Sequence, residues 1–587
     1  MFSETSRLNP RKWSLITLLP YLKRYRNRIL LGALMVLLTN LAVVTLPTVL
    51  GRAIDGLSSA TRSDLVLFAA LILAVGVVEG FFRFWMRRVL IGVSRHIEYD
   101  LRNDLFRHLQ RLTPRFYQEH STGDVMSRST NDLSAVRMVL GPGIMYSFNT
   151  ISMTVLTIGI LLQIDPKLAA LTLVPLLLVS YSATYFGRKI HQRFERIQEQ
   201  FSAITTLAQE NVSGIRVVKA YGQEKASVRR FQEANQEYIK RSLALVRIWG
   251  VFYPLLTFLL GLSGICLLWY GGRRVVSGSI SMGELVAFMV YVTRLTWPTI
   301  ALGWVINVVE RGSASMARIN RILAQKPDIL DEQTLPIEKL KGKLEVRNLS
   351  FSYGEINALK DVSFKVDPGQ TVAIVGRTGS GKSTLVNLLC RLYPIPRETM
   401  FIDDMDINDL PLLKLRSRIG SVPQDSFLFS ETIRQNISFG RPDSDLELVR
   451  EAAWTSNILD DIDEFPEQMS TFVGERGITL SGGQKQRIAI SRALLLDPDI
   501  LVLDDSLSSV DTYTEERILE RLSQKLSDRT SILISHRIST VQKSDLILVL
   551  EDGQIIERGT HRELLEAGGS YADLYQKQLL REELESE

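Results

Sequence analysis

The chain has 587 residues, 45% of them hydrophobic and 23% charged, with a formal net charge of +5. That length allows about two to four domains. Two cysteines, Cys266 and Cys390, exclude a disulfide framework and a cysteine-built metal cluster. Nucleic acid is not an expected partner. The averages conceal two unlike parts: long uncharged apolar runs crowd the first part, and the remainder alternates charge with short apolar strands.

Residues 1–28 are polar and basic without the short apolar core of a cleavable signal. Residues 11–28 mix Trp13, Leu15, Ile16, Leu18 and Leu19 with basic side chains, a pattern for an amphipathic elbow on a membrane surface. Residues 29–51 carry no charge until the following Arg52, long enough at 1.5 Å per residue to cross a ~30 Å hydrocarbon core. Further spans are expected near 65–85, 143–163, 168–186, 250–270 and 284–305. The segments 87–137 and 188–247 are rich in arginine, whereas the loops 52–64 and 163–167 are short and charge-balanced. The positive-inside rule therefore puts both termini and the long segments in the cytoplasm, with Arg273 and Arg274 as a minority vote against it.

Apolar residues in the long segments keep helical spacing, as in Ile97, Leu101, Leu105 and Leu109, so the spans should extend into the cytosol. Turn signals near 120–123 and 221–223 should form tips far below the membrane, suited to docking. Within the spans, Glu79 and Arg83 can neutralise each other at i, i+4. Arg294 has no such partner and should face a wet cavity or another helix. The aromatic stretches 81–85 and 297–304 suit a large amphipathic ligand or lipid itself. The expected division is an elbow at 1–28, a six-helix transmembrane domain at 29–324, a proline-containing linker at 325–341 and an α/β nucleotide-binding domain at 342–587.

The soluble part contains GRTGSGKST, the residues Gly376, Arg377, Thr378, Gly379, Ser380, Gly381, Lys382, Ser383 and Thr384, placed between an apolar strand at 371–375 and a helical run. This is a phosphate-binding loop in its proper setting. Backbone N–H groups of Gly379, Ser380 and Gly381 can close around phosphate oxygens, with the helix N-terminus adding positive potential. Lys382 should reach the β and γ phosphates, and Ser383 should bind Mg²⁺. The apolar strand 500–504 ends in Asp504, a second Mg²⁺ ligand. These elements define a P-loop nucleotide hydrolase of unspecified kind.

The remaining motifs specify the kind by resemblance. LSGGQKQR, residues 480–487, resembles the signature of ATP-binding cassette (ABC) proteins. Gln424 in SVPQ, Asp511 in SSVD and His536 in ISHR resemble that family's Gln loop, D-loop and switch histidine, and TFVGERG at 471–477 is similar to an element of its exporters. Together with the six spans, the chain resembles a half-size ABC exporter over almost its whole length. The resemblance implies that Tyr353 stacks on adenine, that Gln424 touches the metal and that His536 senses the γ phosphate. It also implies that Ser481, Gly482, Gly483, Gln484 and Asp511 cap a nucleotide held by the opposite subunit of a dimer.

One residue departs from the pattern. Competent family members usually carry glutamate after the metal aspartate, where it orients or activates the attacking water; here the residue is Asp505. The chain thereby resembles the subunit with the degenerate ATP site in bacterial heterodimeric multidrug exporters. The expectation is ATP-driven export of amphipathic small molecules or lipids, with a different ABC half-transporter as partner. A homodimeric lipid flippase and a membrane-bound ATP switch are the alternatives.

Overall fold

In a computed structural model the described residues are 14–57, 61–331, 339–526 and 529–586. The first residues of the expected elbow, the centre of the expected linker and part of the first outer loop lie outside them. The chain divides into two compact units, residues 1–111 with 120–326, and residues 112–119 with 327–587.

Six helices of the first unit are long and apolar enough to cross a membrane: α1 (Arg26–Gly56), α2 (Arg62–Leu109), α3 (Thr122–Ile164), α4 (Pro166–Ser213), α5 (Glu224–Val276) and α6 (Met282–Leu323). The expected spans fall within them in order. Each of α2, α4 and α5 continues well beyond its apolar stretch, as the helical spacing of the long basic segments requires. Between α4 and α5 the second tip is a short helix, Ile215–Ala220. Between α2 and α3 lies another, Pro114–Glu119, whose segment clusters with the second unit. There Thr113 Oγ1 donates to Asp328 Oδ2 at 2.7 Å, and Gln118 Nε2 donates to the Tyr393 hydroxyl at 2.9 Å.

Contacts with specific chemistry fix the helix ends at the α3–α4, α5–α6 and α1–α2 connections. Asp165 caps α4 by accepting from the backbone N–H groups of Lys167 and Leu168 at 2.9 and 3.0 Å, with Pro166 at the first helical position. The same carboxylate, 3% exposed, takes Arg274 Nε at 2.6 Å. Arg274, one of the two arginines counted against the expected topology, is thus paired with a buried carboxylate. On the opposite pair, Asp55 accepts from Ser281 Oγ at 2.6 Å and from the N–H of Gly283 at 2.7 Å. The helices α1 and α6 approach so closely there that a β-carbon on Gly283 would overlap the carbonyl of Gly51.

The second unit contains two sheets. A four-stranded antiparallel sheet has the order β2-β1-β4-β5, from β1 (Leu344–Tyr353), β2 (Ile356–Val366), β4 (Met400–Ile402) and β5 (Met405–Asp406). A six-stranded sheet has the order β10-β9-β3-β8-β7-β6. Its strands are β3 (Thr371–Val375), β6 (Ile419–Val422), β7 (Ile500–Asp504), β8 (Thr530–Ile534), β9 (Leu546–Glu551) and β10 (Gln554–Gly559), and only β10 runs antiparallel to its neighbour. Strands β7 and β8 are buried throughout, which is why β7 reads as a continuous apolar run up to Asp504 and β8 ends in Ile-Leu-Ile rather than alternating. The expected fold class, a six-helix membrane domain fused to an α/β P-loop domain, is the one observed.

Candidate nucleotide site

The central strands β3, β8 and β7 lie side by side in parallel, so the loops after their C-terminal ends converge. After β3 the chain turns at Gly376 and Gly381, whose φ angles of +150° and +104° favour glycine. A β-carbon on Gly381 would stand 2.5 Å from the carbonyl oxygen of Ala358, so side-chain size as well as backbone angle restricts that position. The helix α7 (Lys382–Leu389) starts immediately afterwards. Lys382 Nζ donates to the carbonyls of Gly376 and Arg377, each at 2.9 Å, and curls across the loop. Burial holds its ammonium below the ordinary lysine range, against the pull of Asp504 and Asp505.

Asp504, 5% exposed, ends β7 and accepts a hydrogen bond from the Ser383 hydroxyl. Burial pushes its carboxyl above the ordinary carboxylate range, and neighbouring Asp505 pushes it further. Asp505 sits on left-handed backbone at φ +46°, held by its N–H to the Ile534 carbonyl at 2.8 Å and by its own carbonyl, which accepts from Ser508 Oγ at 2.9 Å.

These groups surround a cavity of about 280 Å³. Of the site residues expected from sequence, the cavity gathers Tyr353, Thr378, Gly379, Gly381, Lys382, Ser383, Thr384, Gln424, Asp504, Asp505 and His536. Gly376, Arg377 and Ser380 belong to the same loop without lining the cavity. The buried Ser380 hydroxyl has no hydrogen-bond partner among the described residues. An orphaned hydroxyl, a loop carrying a lysine and a serine–carboxylate pair suit a polyphosphate with a divalent cation.

Ser481, Gly482, Gly483, Gln484 and Asp511 are not among the residues lining that cavity. Ser481 caps α8 (Gly482–Leu495) reciprocally with Gln484, accepting from the Gln484 N–H at 3.2 Å while Gln484 Oε1 accepts from the Ser481 N–H at 3.0 Å. Gly483 runs so close to the loop after β7 that a β-carbon would lie 2.9 Å from the Ser509 carbonyl. Gln486 ties this helix to the same loop, accepting from the Ser509 N–H at 2.9 Å and donating to Ser508 Oγ at 3.2 Å. Asp511 accepts from the Thr514 N–H at 2.9 Å, and that bond holds its carboxyl below the ordinary range.

Tyr393 has no place in the sequence motifs, yet it completes an aromatic cluster with Tyr353 and Phe351. Its ring centroid is 5.2 Å from that of Tyr353 and 5.9 Å from that of Phe351, both edge-on. It follows α7 in an apolar run that carries no periodic or motif signal, and Asn357 and Ala358 reach the cavity from β2 equally unannounced.

Fold and site together define an ATP hydrolase coupled to transport through a membrane. The description of an ABC transporter transmembrane region matches residues 29–299, and that of an ABC transporter ATP-binding unit matches residues 359–508. The chain belongs to the ABC transporter family, among exporters whose membrane and ATP-binding parts are fused. It is 38% identical over 95% of its length to the probable multidrug resistance ABC transporter ATP-binding/permease protein YheI of Bacillus subtilis, covering 97% of that protein. It is 33% identical over 88% of its length to an ATP-dependent lipid A-core flippase of Syntrophus aciditrophicus, covering 86% of it. Among solved structures it resembles a bacterial Atm1-family ABC exporter with ATP bound, with a TM-score of 0.77 and 29% identity, covering 94% of this chain and 99% of that one.

Proposed function

We propose that the chain is one subunit of a heterodimeric exporter of amphipathic small molecules or lipids in a bacterial cytoplasmic membrane, and that its own ATP site hydrolyses weakly. In this reading residues 29–324 move the substrate, residues 342–587 bind ATP on the cytoplasmic side and both termini are cytoplasmic. The observation that carries it is Asp505, an aspartate following the buried Asp504 at the end of β7. A side chain one methylene shorter than glutamate withdraws its carboxylate by about an ångström, and a misplacement of ~1 Å can cost ~10²-fold in rate.

The chain's own residues divide the work. Tyr353 offers a face to adenine, and the amides of Gly379, Ser380 and Gly381 hold phosphate oxygens with Lys382. Ser383, Asp504 and Gln424 would hold Mg²⁺, which when bound supplies charge neutralisation at the β and γ phosphates. His536 reaches the cavity beyond β8 to sense the γ phosphate. Ser481 to Gln484 and Asp511, standing apart from this cavity, serve the partner's nucleotide. Gln486 and Ser508 link that signature helix to the backbone of Asp505, so closure at one site is felt at the other. The tips near residues 120 and 222, beside the short helices 114–119 and 215–220, carry that movement to the membrane helices.

The test is ATPase activity of the purified chain alone and together with a candidate partner half-transporter that carries glutamate after its metal aspartate. Turnover should require the partner, and replacing the partner's glutamate after its metal aspartate should remove most of it. High turnover by the lone chain as a homodimer would overturn the heterodimeric reading and favour a homodimeric exporter or flippase. Nucleotide binding without substrate flux in proteoliposomes would point to an ATP switch.

A further inference from the structure

Within the helical unit, α1, α2, α3 and α6 line a half-open cavity of about 460 Å³. Three guanidinium groups line it. Arg83 and Arg87, one turn apart on α2, reach it from one side, and Arg294 reaches it from α6. Its lining contains no aspartate or glutamate. Arg83 is ion-paired with Glu79, as the sequence spacing leads one to expect. Arg87 and Arg294 make no ion pair with a carboxylate among the described residues.

Arg294 has one structural task. Pro47 has no N–H, so the carbonyl of Val43 loses its helical partner four residues on, and Arg294 Nη1 donates to that carbonyl at 3.2 Å. One hydrogen bond to a carbonyl needs only a neutral donor, and it does not account for a full positive charge held within a membrane span. The remaining lining is amphipathic: Met86, Met145, Met153 and Trp297 supply apolar and aromatic surface, and Asn40 and Asn149 supply neutral hydrogen-bonding groups. A neighbouring groove shares Arg83 and Arg87 and adds Arg88 and Arg95 along the same helix, with Arg95 neutralised by Glu98 at 3.1 Å as Arg83 is by Glu79.

We infer that this cavity binds an anionic amphiphile, its acidic headgroup held between Arg87 and Arg294 and its apolar part against the methionines and Trp297. Planar guanidinium groups converging without carboxylates favour phosphate, sulfonate or carboxylate, which they can grip through paired N–H donors. A cationic amphiphile of equal size would meet uncompensated like charge. The inference deepens the export reading by naming the charge class of its substrate, and it rests on that reading for transport though not for binding.

The experiment measures equilibrium binding without ATP, using the full-length chain in nanodiscs of neutral lipid, alone and with its partner. The probes are a dansyl-labelled alkyl sulfonate and the alkyl trimethylammonium of the same chain length. Wild type should bind the sulfonate about tenfold more tightly, the scale of one well-formed charged hydrogen-bond pair. Arg87→Gln and Arg294→Gln should each shrink that preference severalfold while leaving binding of the ammonium probe no weaker. The glutamine at 294 keeps a donor for the Val43 carbonyl, and Arg87 has no internal ion pair to lose, so both variants should fold. Equal binding, a preference for the cation, or a preference that survives both substitutions overturns the inference. Phosphatidylglycerol that displaces the sulfonate identifies a lipid headgroup as a natural source; displacement by an organic anion alone identifies a drug-like one. Displacement by inorganic phosphate at the same concentration would overturn the requirement for an apolar tail. Loss of the charge preference leaves ATP-driven export standing, and failure of transport leaves the binding result standing, so the two can be told apart.

Discussion

Asp505 occupies a backbone conformation that aspartate and asparagine tolerate better than most residues, at φ +46°. Its position is therefore fixed by the main chain, through bonds from its N–H and to its carbonyl, and the side chain only sets the reach of the carboxylate. In a heterodimer whose partner carries Glu→Gln at the matching position, Asp505→Glu should raise residual ATPase by about tenfold or more. Asp505→Ala in the wild-type complex should change turnover far less than removal of the partner's glutamate. Lys382→Ala removes the charged donor beside the phosphate loop. It should weaken ATP binding by ~10- to 100-fold in a fluorescent-nucleotide titration, the range for a hydrogen bond to a charged group. Tyr353→Ala should weaken it as well, by the ~1–3 kcal/mol of one lost base stack, and Tyr353→Trp should restore affinity. Undiminished affinity in Tyr353→Ala would remove stacking from the account.

At the scale of elements, two contacts fix the ends of the membrane helices at their short connections. A valine at Gly283 would drive its side chain into the backbone of α1, because Gly51 leaves no flexible group there to yield. Overpacking of this kind costs about 1–3 kcal/mol, and Gly283→Val should lower the thermal midpoint in detergent while Gly303→Ala, at a glycine with open space, should not. The second contact is the ion pair of Arg274 with Asp165. Arg274 is 39% exposed and screened by solvent, whereas Asp165 is 3% exposed, so the burden of breaking the pair falls on the carboxylate. Arg274→Ala should destabilise by about 1–2 kcal/mol. Adding Asp165→Asn, which keeps an oxygen for capping α4 without the charge, should recover part of that loss.

At the scale of the whole molecule, the parts of the nucleotide machinery fall into two groups that do not share a cavity. The phosphate loop, Asp504, Asp505, Gln424, His536 and Tyr353 converge, and the signature with Asp511 stands apart, tied back to them through the loop after β7 and through Arg492, which donates to the Phe427 carbonyl at 2.9 Å beyond Gln424. An arrangement of this kind asks for a second chain. Mixing this chain, its signature disabled by Ser481→Arg, with a wild-type partner should abolish the partner's turnover while this chain still binds ATP through its own loop. Retained turnover would show that the signature does not serve the partner.

The sequence by itself determined the class of fold and picked out the residues proposed to handle ATP, many of which line one cavity, because both depend on local rules. An uncharged run of bilayer length must be a helix in lipid, and a glycine-rich loop between strand and helix must present amides to phosphate. The Glu79–Arg83 pair was legible for the same reason, since helical spacing alone brings i and i+4 together. Tertiary structure alone decided which distant residues meet. Nothing local links Tyr393 to Tyr353, Arg274 to Asp165 or Gly51 to Gly283, which lie far apart along the chain and are joined by packing. The same holds for Arg294. Its charge marked it in the sequence, but only the fold placed it opposite Arg87 and over a carbonyl that Pro47 had left without a partner.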